Sequence, residues 1–544
     1  MFHQILDPLT NLWLSGLVAL VPVIVLLVLL AGLRWKAQWA SLVTLAVGLG
    51  LAVLVWRMPV VQAVSASLDG TAQGVLNNLW LVFNAIWIHS MTVKSGHFEI
   101  LRRTFAGLSN DLRIAAIIIA FGFGTLLEAL AGSGAPVAIC AGMLISLGLN
   151  PMKAIVASLV ANTAPVAFGG LGNPVTMLGR TVQLTDGTGI SAETFGAMIG
   201  RQTPFLAVLI PFVLLLIVDG RRGVKEVWPA ALVGGVVFGA AQYLLSNHFS
   251  YQLTDIFSAL IATFAVVIAA RAMRARSTMA ITEAVSTVGP RADDRGITGL
   301  DRLVAFGPYL IVIAVFSCAQ IPGIKDWLAT LQVTFPWPAL SVESATGTPV
   351  NTSFVLNWGS ATGSLLFVAA VLTMVLLRVS VPSALAAYWG VLTQFGWAIV
   401  TILAVFSLSY LMNFSGMIIT LGSALAQTGV FYALLAPVVG WVGVFITGTD
   451  TGANALFGQL QATAAQQVGA SPVLFGAANT TGGAMAKMVS PQNLAVGAAA
   501  VGLVGREGEL LRRVIGWSLL FLALTCILVF LQSTPILGWM VNGL

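Results

Sequence analysis

The sequence predicts an all-α polytopic membrane protein of about 12–14 membrane segments, built as an inverted repeat with discontinuous, re-entrant helices. Three observations carry that expectation. Of 544 residues, 58% are hydrophobic and only 8% are charged, against roughly 25% charged in a typical soluble domain. So little charge cannot keep a surface in water, whereas a lipid-facing surface needs none. Apolar runs long enough to cross a bilayer recur along the chain, and short motifs from its first half return in its second at a nearly constant offset.

The first run, about 12–33, ends at Arg34 and Lys36 and has neither a basic leader nor a cleavage site. It reads as a first spanning helix and not as a removed signal peptide. Further runs near 38–56, 72–93, 201–219, 228–247, 252–270, 303–321, 362–380, 384–412 and 514–532 can each cross a hydrocarbon core of about 30 Å. Two stretches, 113–183 and 431–504, are equally apolar but punctuated by Gly, Pro, Asn and Thr. Segment 271–302 is the only one polar enough for a flexible loop. It divides an N-terminal half, 1–270, from a C-terminal half, 303–544.

The net charge of +6 arises from 25 basic and 19 acidic residues. The basic groups sit in a few short loops, so they read as topology signals and not as a nucleic-acid site. Arg34/Lys36, the Lys94–Arg113 loop, Arg221/Arg222/Lys225, the 271–302 loop with Arg271, Arg274 and Arg276, and Arg512/Arg513 are expected on the cytoplasmic side. The N-terminus and the nearly uncharged 322–361 segment then fall outside. The 15 Trp residues suit interfacial anchoring. Three Cys without CxxC spacing and four scattered His point to neither a disulfide framework nor a metal site, and no cofactor is expected.

The halves repeat. Ser95–Gly96 returns as Ser415–Gly416, an offset of 320, and the Gly148–Pro151 turn returns as Gly469–Pro472, an offset of 321. Asn162–Thr163 with Pro174 eleven residues beyond the Thr returns as Asn479–Thr480 with Pro491, an offset of 317. The first copy spans about 72–183 and the second about 392–504. The helix at 72–93 leads into a basic loop, whereas its counterpart near 392–412 follows the turn at Arg378, so the copies run in opposite senses. Oppositely oriented copies are a secondary-transporter architecture, because exchanging the conformations of the halves alternates access.

The chemistry is expected at the interruptions. In the first copy these are Gly132–Ser133–Gly134 before Pro136, and Asn162–Thr163–Ala164–Pro165 with the glycines that follow; in the second they are Thr447–Gly452 and Asn479–Gly483. Each frees backbone groups at membrane depth, tolerated only where protein or a wet cavity satisfies them. Half-helix N-termini there can hold a substrate carboxylate. The bland alternative is that the small residues only permit close helix packing.

Glu128, Asp450 and Lys487 are the ionisable residues read inside these stretches. A charge at the bilayer centre costs roughly 2.5–3.5 kcal/mol even on insertion scales, so an idle one is improbable. Glu128 and Asp450 lie beside the first break of their respective copies and are the candidates to carry a coupling proton, since a carboxyl can take up and release one as its surroundings change between wet and dry. Otherwise they cap a half-helix or pair with Lys487. Lys487 is a candidate partner for a substrate carboxylate, or it reaches the interface, or it locks Asp450. Ser133, Asn162, Thr163, Thr449, Thr451, Asn454, Asn479, Thr480 and Thr481 offer hydroxyls and amides for a small hydroxy acid, or serve freed backbone. Asn351–Thr352–Ser353 fits a glycosylation acceptor pattern too common to carry meaning.

Several long blocks resemble the bacterial lactate permease family: GTLLEALAGSGAPVAI (124–139), NTAPVAFGGLGNPV (162–175), GWVGVFITGTDTGANALFGQLQATAAQQVG (440–469) and NTTGGAMAKMVSPQNLAVGAAAVGLVG (479–505), with DPLTNLWLSGLVALVPV (7–23) at the start. The resemblance implies proton symport of lactate, and often glycolate, across the bacterial cytoplasmic membrane. It also implies membership of the wider ion-transporter superfamily, with paired hairpins whose Asn-Thr tips map onto Asn162–Thr163 and Asn479–Thr480. Sodium-coupled relatives carry a Ser before that pair; here Ala161 and Ala478 stand there, which favours protons. The expected partners are thus lactate, glycolate, protons and the lipid bilayer, and a homodimer is compatible with this reading. A sodium-coupled carboxylate carrier is the main alternative. A channel needs a continuous polar lining, and an enzyme needs a nucleophile–base or metal constellation that these stretches lack.

Overall fold

The computed structural model describes residues 1–541 except 34, 132–134, 185–187, 274–297, 320, 346, 395 and 504. Ser133, Arg274 and Arg276, with most of the expected 271–302 loop, lie outside the described residues. The described chain is almost entirely helical, with two two-stranded β-pairings. Among the described residues nine helices are long and apolar enough to cross a membrane, or ten if the bent pair Pro151–Ala161 and Val166–Thr181 is one span. That is fewer than the expected segments for two reasons. Four apolar helices, Pro136–Ser146, Thr362–Leu376, Val381–Thr393 and Met417–Ala426, are too short, and Ala192–His248 counts once although Gly220 kinks it at φ 65°.

The N-terminal helix starts where Asn11 caps it, its side chain accepting from the Leu14 amide at 3.1 Å. Such a cap satisfies one of the amides a helix start leaves free. The second, Ala37–Leu54, buries Ser41, Thr44, Gly48 and Ala52 at helical spacing against Gly396–Ser415. Small residues on that stripe let backbones approach where lipid offers no hydrophobic drive. The run expected at 72–93 is the end of a longer helical stretch: Val60–Gln73, a π-helical turn Gly74–Leu79 and Trp80–Lys94. A β-carbon at Gly70 would overlap the backbone oxygen of Phe406. The stretch expected at 384–412 is two helices, Val381–Gln394 and Gly396–Ser415.

The repeated motifs occupy matching turns. Gly96 and Gly416 both take left-handed backbone, φ 79° and 91°, and each opens a ten-residue helix, His97–Ala106 and Met417–Ala426. Gly148 and Gly469 do the same at φ 98° and 72°, a conformation that costs any residue with a β-carbon. Proline at the first helical position then starts Pro151–Ala161 and Pro472–Ala486, where its missing N–H is not needed.

The copies point in opposite directions. Helix Trp80–Lys94 ends beside His97–Ala106, whose Phe105 packs on Phe306 at 5.9 Å between ring centroids, near the start of Gly299–Ala319. That helix leads to the 322–361 segment on the other face. Gly396–Ser415 instead ends against the N-terminal segment, where Gln4 Nε2 donates to the carbonyls of Asn413 and Phe414 at 2.9 and 3.1 Å. Phe2–His3 pairs in parallel with Val342–Glu343, so the N-terminus and the 322–361 segment share a face, as their expected common location requires. Gln332–Pro336 and Ser353–Asn357 form an antiparallel hairpin beside them. The copies also interlock: Gly169–Thr181 of the first packs on Asp450–Val468 of the second, and Pro491–Ala500 of the second packs on Ala135–Ser146 of the first.

One expected interruption is displaced. Helix Pro472–Ala486 runs unbroken through Asn479–Gly483, and the chain leaves it only at the 3-10 turn Lys487–Val489. The glycines there serve close packing: a β-carbon at Gly482 would overlap the Pro437 carbonyl, and one at Gly440 would overlap that of Asn479. The first copy behaves otherwise. Pro151–Ala161 ends at Asn162, and Gly170, Leu171 and Gly172 take left-handed angles of 53°, 55° and 70° in φ. A Gly440→Ala variant is expected to lose at least about 2 kcal/mol, because backbone on the facing helix cannot yield as a side chain can. Thermal unfolding of the purified protein should show a lowered midpoint, whereas Gly50→Ala, inside Ala37–Leu54 with nothing within 4 Å of the added carbon, should not lower it.

Candidate functional site

Where the copies interlock, the structure brings three of the singled-out residues together. Glu128 lies on Gly124–Ala131, with its carboxylate against Gly169. Lys487 opens the 3-10 turn after Pro472–Ala486, and its Nζ donates to Glu128 Oε1. The ion pair therefore ties the first copy to the second, with both side chains buried, 1% exposed for Glu128 and 8% for Lys487. Glu128 Oε2 has no hydrogen-bond partner among the described residues. The Lys487 carbonyl accepts from Asn493 Nδ2 at 2.9 Å, fixing the turn that presents the ammonium.

Asp450 is the first residue of Asp450–Val468, two residues after the left-handed Gly448. Thr449 caps that helix, its hydroxyl accepting from the Gly452 amide at 3.1 Å. A carboxylate in the first turn meets the positive end of the helix dipole. It packs against Gly483 and feels the charge of Lys487. Neither oxygen of the buried carboxyl has a hydrogen-bond partner among the described residues. Lys487 thus stands between two carboxylates and is paired with Glu128, not Asp450.

The hydroxyls and amides divide into two groups. Asn454, Asn479 and Thr480 bond one another: Asn479 Nδ2 donates to Asn454 Oδ1 at 2.9 Å, and Asn454 Nδ2 donates to Thr480 Oγ1 at 2.8 Å. Asn454 Nδ2 also reaches the Pro174 carbonyl of the other copy at 2.9 Å, and Gln461 Nε2 donates to Asn479 Oδ1 at 3.0 Å. Thr481 Oγ1 donates to Gln202 Oε1 at 2.7 Å. These polar groups hold helices together with their bonding capacity largely used. Asn162 is different, since its Oδ1 is buried without a partner among the described residues. Thr163 only approaches the Leu159 carbonyl, at 3.5 Å, and Thr451 is buried at 6% exposure.

Lys487 is not the only interior cation. Arg180, at the end of Gly169–Thr181, lines a cleft of about 510 Å³ together with Asp69, Gln73, Tyr410, Gln459 and Thr463. Gln4 and Leu6 of the N-terminal segment and several residues from Ser344 to Asn357 line it too. Arg180 closes the 113–183 stretch and was open to view in the sequence. What it faces was not, because Asp69 and Tyr410 come from distant runs.

A family model described as L-lactate permease matches residues 15–536. The chain belongs to the L-lactate permease family. Relatives extend over nearly all of this permease-family chain. The L-lactate permease of Bacillus subtilis (strain 168) is 39% identical over 557 residues, covering 98% of each chain. The glycolate permease GlcA of Escherichia coli (strain K12) is 37% identical over 561 residues, 99% of each. The L-lactate permease of the same organism is 37% identical over 555 residues, 99% of this chain and 100% of that one. A solved YdaH transporter of Alcanivorax borkumensis aligns loosely, at a TM-score of 0.42 and 15% identity over 85% of this chain and 86% of that one. The family is one of multi-pass membrane transporters, not enzymes.

The buried pair gives a direct stability test. Removing one partner leaves an uncompensated interior charge, which costs about 3–5 kcal/mol. Glu128→Gln and Lys487→Met should each lower the thermal midpoint of the purified protein strongly, and the double variant should recover much of the loss.

Proposed function

We infer that this permease imports lactate and related small 2-hydroxy monocarboxylates, glycolate among them, across the bacterial cytoplasmic (inner) membrane by proton symport. The names of its full-length relatives support the substrate class. The observation that carries the coupling is the buried set Glu128, Lys487 and Asp450, held at the junction of the two copies with three carboxylate oxygens unpartnered among the described residues.

Two carboxylates and one ammonium leave one formal negative charge, which a single proton neutralises with the ion pair intact. A monocarboxylate entering this region adds another negative charge, and interior charge without compensation is expensive. A proton accompanying each substrate keeps the balance. Protonation of Glu128 in particular releases Lys487, which then demands an anion: the substrate carboxylate or Asp450. Asn162, whose carbonyl oxygen has no partner among the described residues, and Thr163 sit at the bend of the first copy and are the hydroxyl-recognising candidates, whereas Asn454, Asn479 and Thr480 act chiefly by bracing the helices. The opposed copies supply two equivalent conformations for alternating access.

Uptake of labelled lactate into proteoliposomes under imposed pH or sodium gradients tests this. The wild type should accumulate lactate when the outside is acidic and should not respond to sodium. Asp450→Asn and Glu128→Gln should lower pH-driven accumulation at least about tenfold while leaving downhill exchange measurable. If both variants accumulate lactate like the wild type, the proton assignment is wrong; if only sodium drives uptake, the coupling ion is wrong.

A further inference from the structure

Among the described residues that line the cleft, only two are charged, Arg180 and Asp69. They come from helices far apart in sequence, Gly169–Thr181 and Val60–Gln73. Arg180 Nη1 donates to Asn77 Oδ1, and Asn77 Nδ2 donates to Gln73 Oε1 at 2.5 Å. One amide oxygen is a small share of what a guanidinium's five donors can use. No carboxylate pairs with Arg180 among the described residues, unlike Arg113, which pairs with Asp111, Asp219 and Glu226, and Lys487, which pairs with Glu128. Asp69 is buried at 3% exposure, with Oδ1 likewise unpartnered among the described residues. The Tyr410 phenol interacts electrostatically with both charges.

A partly enclosed guanidinium without a counter-ion is a site for an anion, and its planar fork suits the two oxygens of a carboxylate. We propose that Arg180 is the cation that captures the substrate carboxylate from the cleft, and that Asp69 on the same cleft turns away acids bearing a second carboxylate. This rests on the reading of the protein as a monocarboxylate importer and deepens it by naming the capture site. The cleft opens on the face that carries the N-terminus and residues 344–357, the side from which an importer receives its substrate. Lys487, held by Glu128, is reached later, when a proton has freed it. One positive charge satisfies one carboxylate; a second carboxylate meets Asp69 and no second cation. Selectivity by repulsion of the wrong partner is as effective as added attraction to the right one.

Equilibrium binding of labelled lactate to the purified protein, with no gradient present, isolates capture from coupling. Arg180→Gln is expected to weaken binding about 30-fold or more, the usual consequence of truncating one member of an enclosed charge pair, and Arg180→Lys should retain more affinity than Arg180→Gln. Asp69→Asn should let malate compete with lactate at least about tenfold better than it does in the wild type. Arg180→Gln binding lactate like the wild type overturns the capture site, and unchanged malate competition in Asp69→Asn overturns the role of Asp69. Because Arg180 variants can fail to fold, Ala345→Cys, at an exposed position on the wall of the same cleft, gives an independent reading in the otherwise intact protein. Lactate should slow its modification by a charged, impermeant thiol reagent, measured against the parent's own thiols, and absence of protection also overturns the site. If wild-type binding depends on Arg180 while vesicles show no pH-driven uptake, the capture site stands and the coupling reading fails. The reverse pattern keeps the coupling and removes Arg180.

Discussion

The architecture depends on what a bilayer does to charge and to unpaired backbone. Neither can be left in hydrocarbon without a partner, and here the partner is repeatedly the other copy. Glu128 of one unit neutralises Lys487 of the other, and Asn454 of the second donates to the Pro174 carbonyl at the bend of the first. The bend in Gly169–Thr181 is therefore secured from across the junction. Interiors of this kind are bistable more readily than they are soft, because a buried ion either has one partner or another.

Close approach of backbones is the second theme. Gly70, Gly440 and Gly482 each face a backbone carbonyl on a neighbouring helix, with no space for a side chain. Around Asn479 this density comes with a fully used set of amide bonds through Asn454, Gln461 and Tyr432. Such a region transmits displacement as a block. The region around Asn162, where the helix ends and oxygens are left over, has more freedom to rearrange. The two copies share motifs but have diverged in mechanical character.

Much of this was legible in the amino-acid order. Apolar runs, the paired glycine turns and the opposed senses of the copies follow from composition and charge, since left-handed backbone favours Gly. The displaced interruption was not legible, because Asn-Thr-Thr-Gly-Gly reads equally as a helix breaker and as a packing surface, and only the facing Pro437 and Gly440 decide between them. That Lys487 could pair with either carboxylate was legible, but not that it chooses Glu128: Asp450 is nearer in sequence, and proximity along the chain says little about which carboxylate an ammonium meets across a junction. Arg180 was passed over as the end of an apolar stretch. Its interest lies in a cleft assembled from segments that the linear order keeps apart.

The parallel pairing of Phe2–His3 with Val342–Glu343 has a consequence for biogenesis. Residues 2 and 3 cannot meet their strand partner until the chain has been made past position 343, after the whole first unit and its connection have been synthesised. This part of the cleft wall is thus completed late, by a clasp between segments far apart in the chain. A nascent protein halted before that point would hold its helices in the membrane with this end of the cleft unfinished.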